Sequence, residues 1–106
     1  MSSAKQIKEA YPNAAPIANK IVDLAKKLDM PDAGWLANLM NFETGGTFSP
    51  SIKNKHSGAT GLIQFMPSTA RDMGTTTDAL AAMSAKDQMA YVEQYLMRRK
   101  KNSKSF

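Results

Sequence analysis

Between Asp32 and Asp72 the chain carries one carboxylate, Glu43, and it stands where an apolar run gives way to two glycines, Asn41-Phe42-Glu43-Thr44-Gly45-Gly46. Glu43 follows Leu39 by four residues and Met40 by three, so on a helix it points along a largely apolar face. A negative charge at a helix C-terminus meets the unfavourable end of the dipole, and apolar surroundings disfavour the ionised form. Both effects push a carboxyl toward staying protonated near neutral pH, where it can give a proton to a leaving oxygen as a general acid. A second stretch, Gly58-Ala59-Thr60-Gly61-Leu62-Ile63-Gln64-Phe65-Met66-Pro67, sets a lone amide, Gln64, inside an apolar run. Such an amide either satisfies buried backbone or faces a ligand.

Helices must hold these two stretches against each other. Residues 4–11 read as a short helical stretch ended by Tyr11-Pro12. Pro16 sits where a first-turn proline belongs, and Ile17, Ile21, Leu24 and Leu28 then follow as one buried stripe. Met30-Pro31 breaks the chain, and Asp32 is an N-cap for a helix over 33–44. Trp35, Leu36, Leu39, Met40 and Phe42 cover more than one face of it, so it is expected to be the most buried helix, with Trp35 in the core. Gly45 or Gly46 supplies the left-handed residue that ends it. Residues 47–57 read as an irregular polar loop. Small residues from Gly58 allow close backbone approach. Pro67 opens a helix to about Met73, closed by Gly74, and Thr75–Asp78 cap a short helix at 79–83. Ser84 with Asp87 resembles a capping box for a last helix over 85–100, its buried stripe being Met89, Val92 and Leu96. The fold class expected is mainly α, with at most a small β-turn or hairpin region near 47–65.

With 106 residues the chain makes one domain with a modest core. It has no cysteine, so neither a disulfide frame nor a thiolate metal site is available. A lone His56 reads as an ordinary loop histidine, and the eight methionines as core filler. No metal and no cofactor are expected. Five of the fourteen basic residues fall within 98–106, and the remaining nine balance the nine acidic ones. A neutral body argues against a nucleic-acid partner, whose binder would carry its basic patch on the fold. The division expected is a domain over 1–97 and a basic C-terminal tail over 98–106. No stretch is long enough to span a bilayer, and the N-terminus lacks a signal-peptide core, so the chain is expected to be soluble as made.

Glu43-Thr44, Phe48-Ser49-Pro50 and the run from Gly58 through Ala70 together resemble the soluble lytic transglycosylase family of the lysozyme-like superfamily, related to goose-type lysozymes. The family pattern reads approximately E-S-x-F-N-P, a short loop, then G-A-x-G-L-M-Q-x-M-P-x-T-A. The likeness runs from about Trp35 to Leu96, including a later helix with Gln88-Met89 and Tyr95-Leu96. Two extra residues separate the acid from Phe48, Thr44 replaces serine, Lys55 stands where serine is usual, and Val92 replaces a glycine. A further family segment, A-Y-N-A-G, whose tyrosine reaches the active site, has no counterpart here.

The resemblance implies a compact lysozyme-like helical fold that cleaves the β-1,4 bond between N-acetylmuramic acid and N-acetylglucosamine in bacterial peptidoglycan. It implies Glu43 as the catalytic acid and base. It also implies a substrate-binding set of Thr44, Gly61, Leu62, Ile63, Gln64 and Phe65, with Tyr91 or Tyr95 in place of the missing tyrosine. The glycine-rich wording around the glutamate is most like phage versions carried in virions or tails, acting on the cell wall or periplasm, or made in the host cytoplasm. A glycosidase of the usual kind uses two carboxylates. One carboxylate suits the transglycosylase route, which ends in a 1,6-anhydro ring. Asp72 or Asp78 as a water-activating base would make a hydrolytic muramidase instead. A glycan-binding or structural virion module without turnover is the reading from another class.

Overall fold

A computed structural model describes residues 2–103 and shows a mainly helical chain. Local chemistry at each helix end accounts for its boundaries. Helix α1, Ala4–Ala10, is opened by Ser3, whose hydroxyl accepts from the Gln6 amide at 3.1 Å while the Gln6 side chain accepts from the Ser3 amide at 2.9 Å. A 3-10 segment, Pro12–Ile17, follows and holds Pro16, so this proline lies ahead of the next helix and not in its first turn. Helix α2, Ala18–Lys27, buries Ile21 and Leu24 with Ile17 and Leu28 just beyond its ends, as the spacing requires. It stops at Asp29, a non-glycine residue with φ 56°; the Met30 amide reaches back to the Ala25 carbonyl at 2.9 Å.

Helix α3, Ala33–Glu43, carries the lone carboxylate as its last residue. Asp32 caps it, accepting from the amides of Gly34 (2.9 Å) and Ser2 (2.8 Å). The inner face is Ala33, Leu36, Ala37 and Met40. The outer face contradicts the expectation of a fully buried helix: Trp35 is 62%, Leu39 41% and Phe42 79% exposed. Both faces are apolar, and only the inner one meets the core.

Among the described residues no strand forms between Thr47 and Met66. The segment is organised instead by two isolated antiparallel bridges, Lys53 with Thr60 and Thr60 with Phe65. Helix α4, Pro67–Asp72, starts on its proline and ends on Gly74 at φ 79°. Helix α5, Thr77–Ala82, begins two residues earlier than expected because Thr76 caps it, its hydroxyl accepting from Ala79 at 3.0 Å. Helix α6, Ala85–Ser103, is opened by Ser84, which accepts from the Asp87 amide at 3.0 Å. Met89, Val92 and Leu96 are its buried stripe, as expected.

The boundary expected at 97/98 falls inside α6. Lys100 contacts the Asp29 carboxylate and donates to the Lys27 carbonyl at 3.4 Å, so this part of the basic stretch is joined to the folded body. Residues 104–106 of the expected tail lie outside the described residues. One continuous core runs through α1, α2, α3 and α6 and takes in Phe48, Leu62 and Phe65 from the loops. The radius of gyration is 13.0 Å, which is that of a compact body of about 100 residues. No helix among the described residues is long and apolar enough to cross a membrane.

Candidate functional site

The end of α3 is built by the two glycines that follow it. Gly45 takes φ 60° and Gly46 φ 85°. The Gly46 amide donates to the Asn41 carbonyl (2.8 Å) and the Gly45 amide to the Phe42 carbonyl (3.3 Å), which is a Schellman ending. This stops the helix at Glu43, with Thr44 as its C-cap, and turns the chain away. The Asn13 side chain donates to the Gly46 carbonyl at 2.9 Å and ties the 3-10 segment to this corner. Glu43 itself is half-buried, and its carboxylate belongs to none of the ion pairs among the described residues.

Thr44 corrects an expectation. It is fully buried, and its hydroxyl is committed on both sides: it donates to the Met40 carbonyl (2.7 Å) and accepts from the Phe48 amide (2.9 Å). No face of the side chain is left for a ligand. Thr44 fixes how the loop leaves α3, and it does so next to Phe48, a buried residue held at φ 50°.

The turn Gly61–Gln64 is pinned from three directions. Thr60 and Phe65 exchange backbone hydrogen bonds of 2.9 and 2.8 Å across its base. The Gly61 amide donates to the Ile52 carbonyl (2.8 Å). The Leu62 amide donates to the Gln88 side-chain oxygen (2.8 Å), and the Gln88 amide group donates to the carbonyls of Pro50 (3.0 Å) and Leu80 (2.8 Å). Gln88 is fully buried, and a Cβ on Gly61 would come within 2.4 Å of it. Sequence reasoning missed this role. The signal was present, because Gln88 lies four residues before Val92 and so belongs to the buried stripe of α6.

These facts also correct the expected part of Gly61, Leu62 and Phe65. The amides of Gly61 and Leu62 are spent inside the protein, and the side chains of Leu62 and Phe65 are in the core. Gln64 sits at φ 56°, and its amide group takes the first of the two roles, satisfying backbone. Its amide group donates to the carbonyls of Ile52 (3.2 Å) and Gly61 (3.0 Å), while its side-chain oxygen has no protein donor among the described residues.

Ile63, Gln64 and Phe65 meet Tyr95, Met66 and Thr69 around a hollow of about 60 Å³. Tyr95 stands edge-on to Phe65, ring centres 6.0 Å apart, and its hydroxyl accepts from Arg99 at 3.2 Å. This hollow has room for about two waters, far below the few hundred Å³ of a ligand pocket. Glu43, Thr44 and Tyr91 do not line it. Tyr91 is half-buried against the core.

The two alternative bases lie elsewhere. Asp72 is an exposed residue at the end of α4, and Asp78 is exposed with Lys53 3.9 Å away. His56 is an exposed loop residue whose amide donates to Asn54 at 2.8 Å. Among the described residues no group of three or more histidines and acids could hold a metal ion. The chemistry on offer at the end of α3 is therefore that of one unpaired, half-shielded carboxyl on a rigid corner, next to an apolar surface. No protein-family model, curated protein or solved structure matches the chain.

Proposed function

We propose that the chain is a peptidoglycan lytic transglycosylase that cleaves the β-1,4 bond between N-acetylmuramic acid and N-acetylglucosamine. Glu43 first protonates the oxygen leaving the muramic anomeric carbon. The substrate's own 2-acetamido group stabilises the positive charge that develops there. The Glu43 carboxylate then takes the proton of the muramic C6 hydroxyl, whose oxygen closes onto the anomeric carbon as a 1,6-anhydro ring. The proton count returns to its start, no water is consumed, and no second carboxylate is needed.

The observation that carries this reading is the setting of Glu43. It is the one carboxylate between Asp32 and Asp72, it ends an apolar helix, it is half-buried, and no cation among the described residues neutralises it. A carboxyl that serves only stability at a helix C-terminus would be expected to carry a salt bridge or full solvation. The resemblance of residues 43–70 to soluble lytic transglycosylases supports the same reading. On this reading the protein acts at the bacterial cell wall as a lysozyme-like component of a phage virion or tail.

A glycan-binding module without turnover is the second reading. It is favoured by the exposed aromatic side chains Trp35 and Phe42. Mass spectrometry of the soluble products from purified peptidoglycan, with the unaltered protein and with Glu43→Gln, separates the readings. Muropeptides ending in 1,6-anhydro-muramic acid, lost in Glu43→Gln, are expected. Reducing ends would make the protein a hydrolase and direct attention to Asp72 and Asp78. Retention on peptidoglycan with no products from either protein would leave the binding module.

A further inference from the structure

The outer face of α3 is an apolar surface that no other element covers among the described residues. Trp35, Leu39 and Phe42 stand at i, i+4 and i+7 and are largely exposed. With a rise of about 1.5 Å per residue, Trp35 and Phe42 lie two turns, about 10.5 Å, apart on one face. Glu43 follows Leu39 by four residues, so Trp35, Leu39 and Glu43 form one row and the carboxylate leaves the helix at the margin of the stripe. Asn38, also exposed, borders the opposite margin; its side-chain oxygen accepts from the Tyr11 hydroxyl at 3.1 Å, which leaves its amide group as a donor.

The size of the stripe argues about its occupant. Its three side chains expose on the order of 400 Å² together, at 150–250 Å² for a whole aromatic side chain. A stable protein interface takes about 800 Å² from each partner. A second copy of the chain seated here would therefore be held weakly. A patch of this area on a monomer is often functional, and it suits a ligand of a few rings. Pyranose rings have an apolar C–H face and a polar rim. They match flat aromatic side chains flanked by hydrogen-bonding groups, which is the composition of this face. In a β-1,4-linked strand each ring is turned over relative to the last, so every second ring presents the same face. The Trp35–Phe42 separation is close to that disaccharide repeat.

We infer that the outer face of α3 is a glycan platform, on which alternate rings of a β-1,4-linked amino-sugar strand stack on Trp35 and Phe42 while the strand runs along the helix toward Glu43. The inference rests on the peptidoglycan reading and adds the path of the strand. Leu39 packs under the intervening ring, and the Asn38 amide donates to its rim. The surface is open, so the strand can enter at either end and a cut within a long strand is sterically allowed.

Trp35 is the single tryptophan of the chain, which makes its emission a reporter for this face alone. The full chain bearing Glu43→Gln, which blocks turnover, is titrated with chitotetraose and with a soluble GlcNAc–MurNAc tetrasaccharide, and binding is followed by fluorescence and by calorimetry. A saturable change in Trp35 emission is expected. Phe42→Ala on the same background is expected to weaken binding about tenfold, the loss of one good aromatic contact. A disaccharide, which cannot span both rings, is expected to bind more weakly than the tetrasaccharide. Phe42 is exposed, so circular dichroism should show the Phe42→Ala variant as folded as its parent. If calorimetry detects binding without any change in emission, or if Phe42→Ala binds as tightly as its parent, the platform is wrong. A change in emission on raising protein concentration without sugar, with dimers in sedimentation, would assign the face to a second copy and also overturn it. Release of muropeptides by the unaltered protein keeps the peptidoglycan reading standing in those cases. No release and no binding would remove both.

Discussion

Glu43 and Thr44 are adjacent in the chain and opposite in role. Glu43 leaves the helix at the margin of the apolar outer face with no cation on it among the described residues, while Thr44 turns inward and spends its hydroxyl on Met40 and Phe48. The inward residue makes the outward one usable. Phe48 has a positive φ, a conformation that costs of order 1–3 kcal/mol in a bulky residue and persists only where its surroundings hold it. The Thr44 hydroxyl is one of those holds. Thr44→Val keeps the shape but leaves a buried amide at Phe48 without an acceptor, and should cost about 1–3 kcal/mol. Thr44→Ser keeps the hydroxyl and should cost less. Urea unfolding of the two variants checks the order. Equal losses would mean that the methyl group matters more than the hydrogen bonds.

The helices were largely legible in the residues because their ends are written in local chemistry: Asp32 before α3, Pro67 and Gly74 around α4, Ser84 before α6. Asp32 also has a pH signature. The Gly34 amide, with the Ser2 amide and hydroxyl, holds its carboxyl below the usual value of about 3.9. Because the folded state lowers this pKa, the charged cap stabilises the fold fully above the unfolded value, and that stabilisation is lost as pH falls through the folded one. Asp32→Ala should therefore lower the melting temperature at neutral pH, and the gap to the parent should narrow as the pH drops below about 4. A gap independent of pH would show that the charge contributes nothing. What local chemistry could not show was which face of α3 is covered. Leu36 and Met40 are inside while Trp35, Leu39 and Phe42 are outside, although both sets are apolar and both keep helical spacing. The choice is made by the partners, and those come from distant parts of the chain.

The same reason hid the residue that joins the central loops to α6. Gln88 was not counted in the stripe of Met89, Val92 and Leu96, and its partners at Leu62 and Pro50 lie 26 and 38 residues away, where no local pattern pairs them. With its third bond to Leu80, one side chain joins the loop after α3, the Gly61–Gln64 turn and the end of α5 to α6. It therefore ties the loop that follows the Glu43 corner to the turn bearing Gln64. Gly61 is its complement. A side chain there would strike the Gln88 amide, and the φ of 86° suits glycine alone. Gln88→Ala leaves the buried Leu62 amide without an acceptor and removes a donor from the half-buried Pro50 carbonyl, while the Leu80 carbonyl keeps the Met83 amide, so a loss of about 2 kcal/mol or more is expected. Gly61→Ala should cost about 1–3 kcal/mol through overpacking and backbone strain. The two should not add. Shortening Gln88 removes the atoms that the new methyl would strike, so the double variant should be more stable than the sum of the two losses by about 1 kcal/mol. Chemical denaturation of the four proteins measures this coupling. Strict additivity would mean that the cost at Gly61 is conformational only, and that the turn is not seated against Gln88.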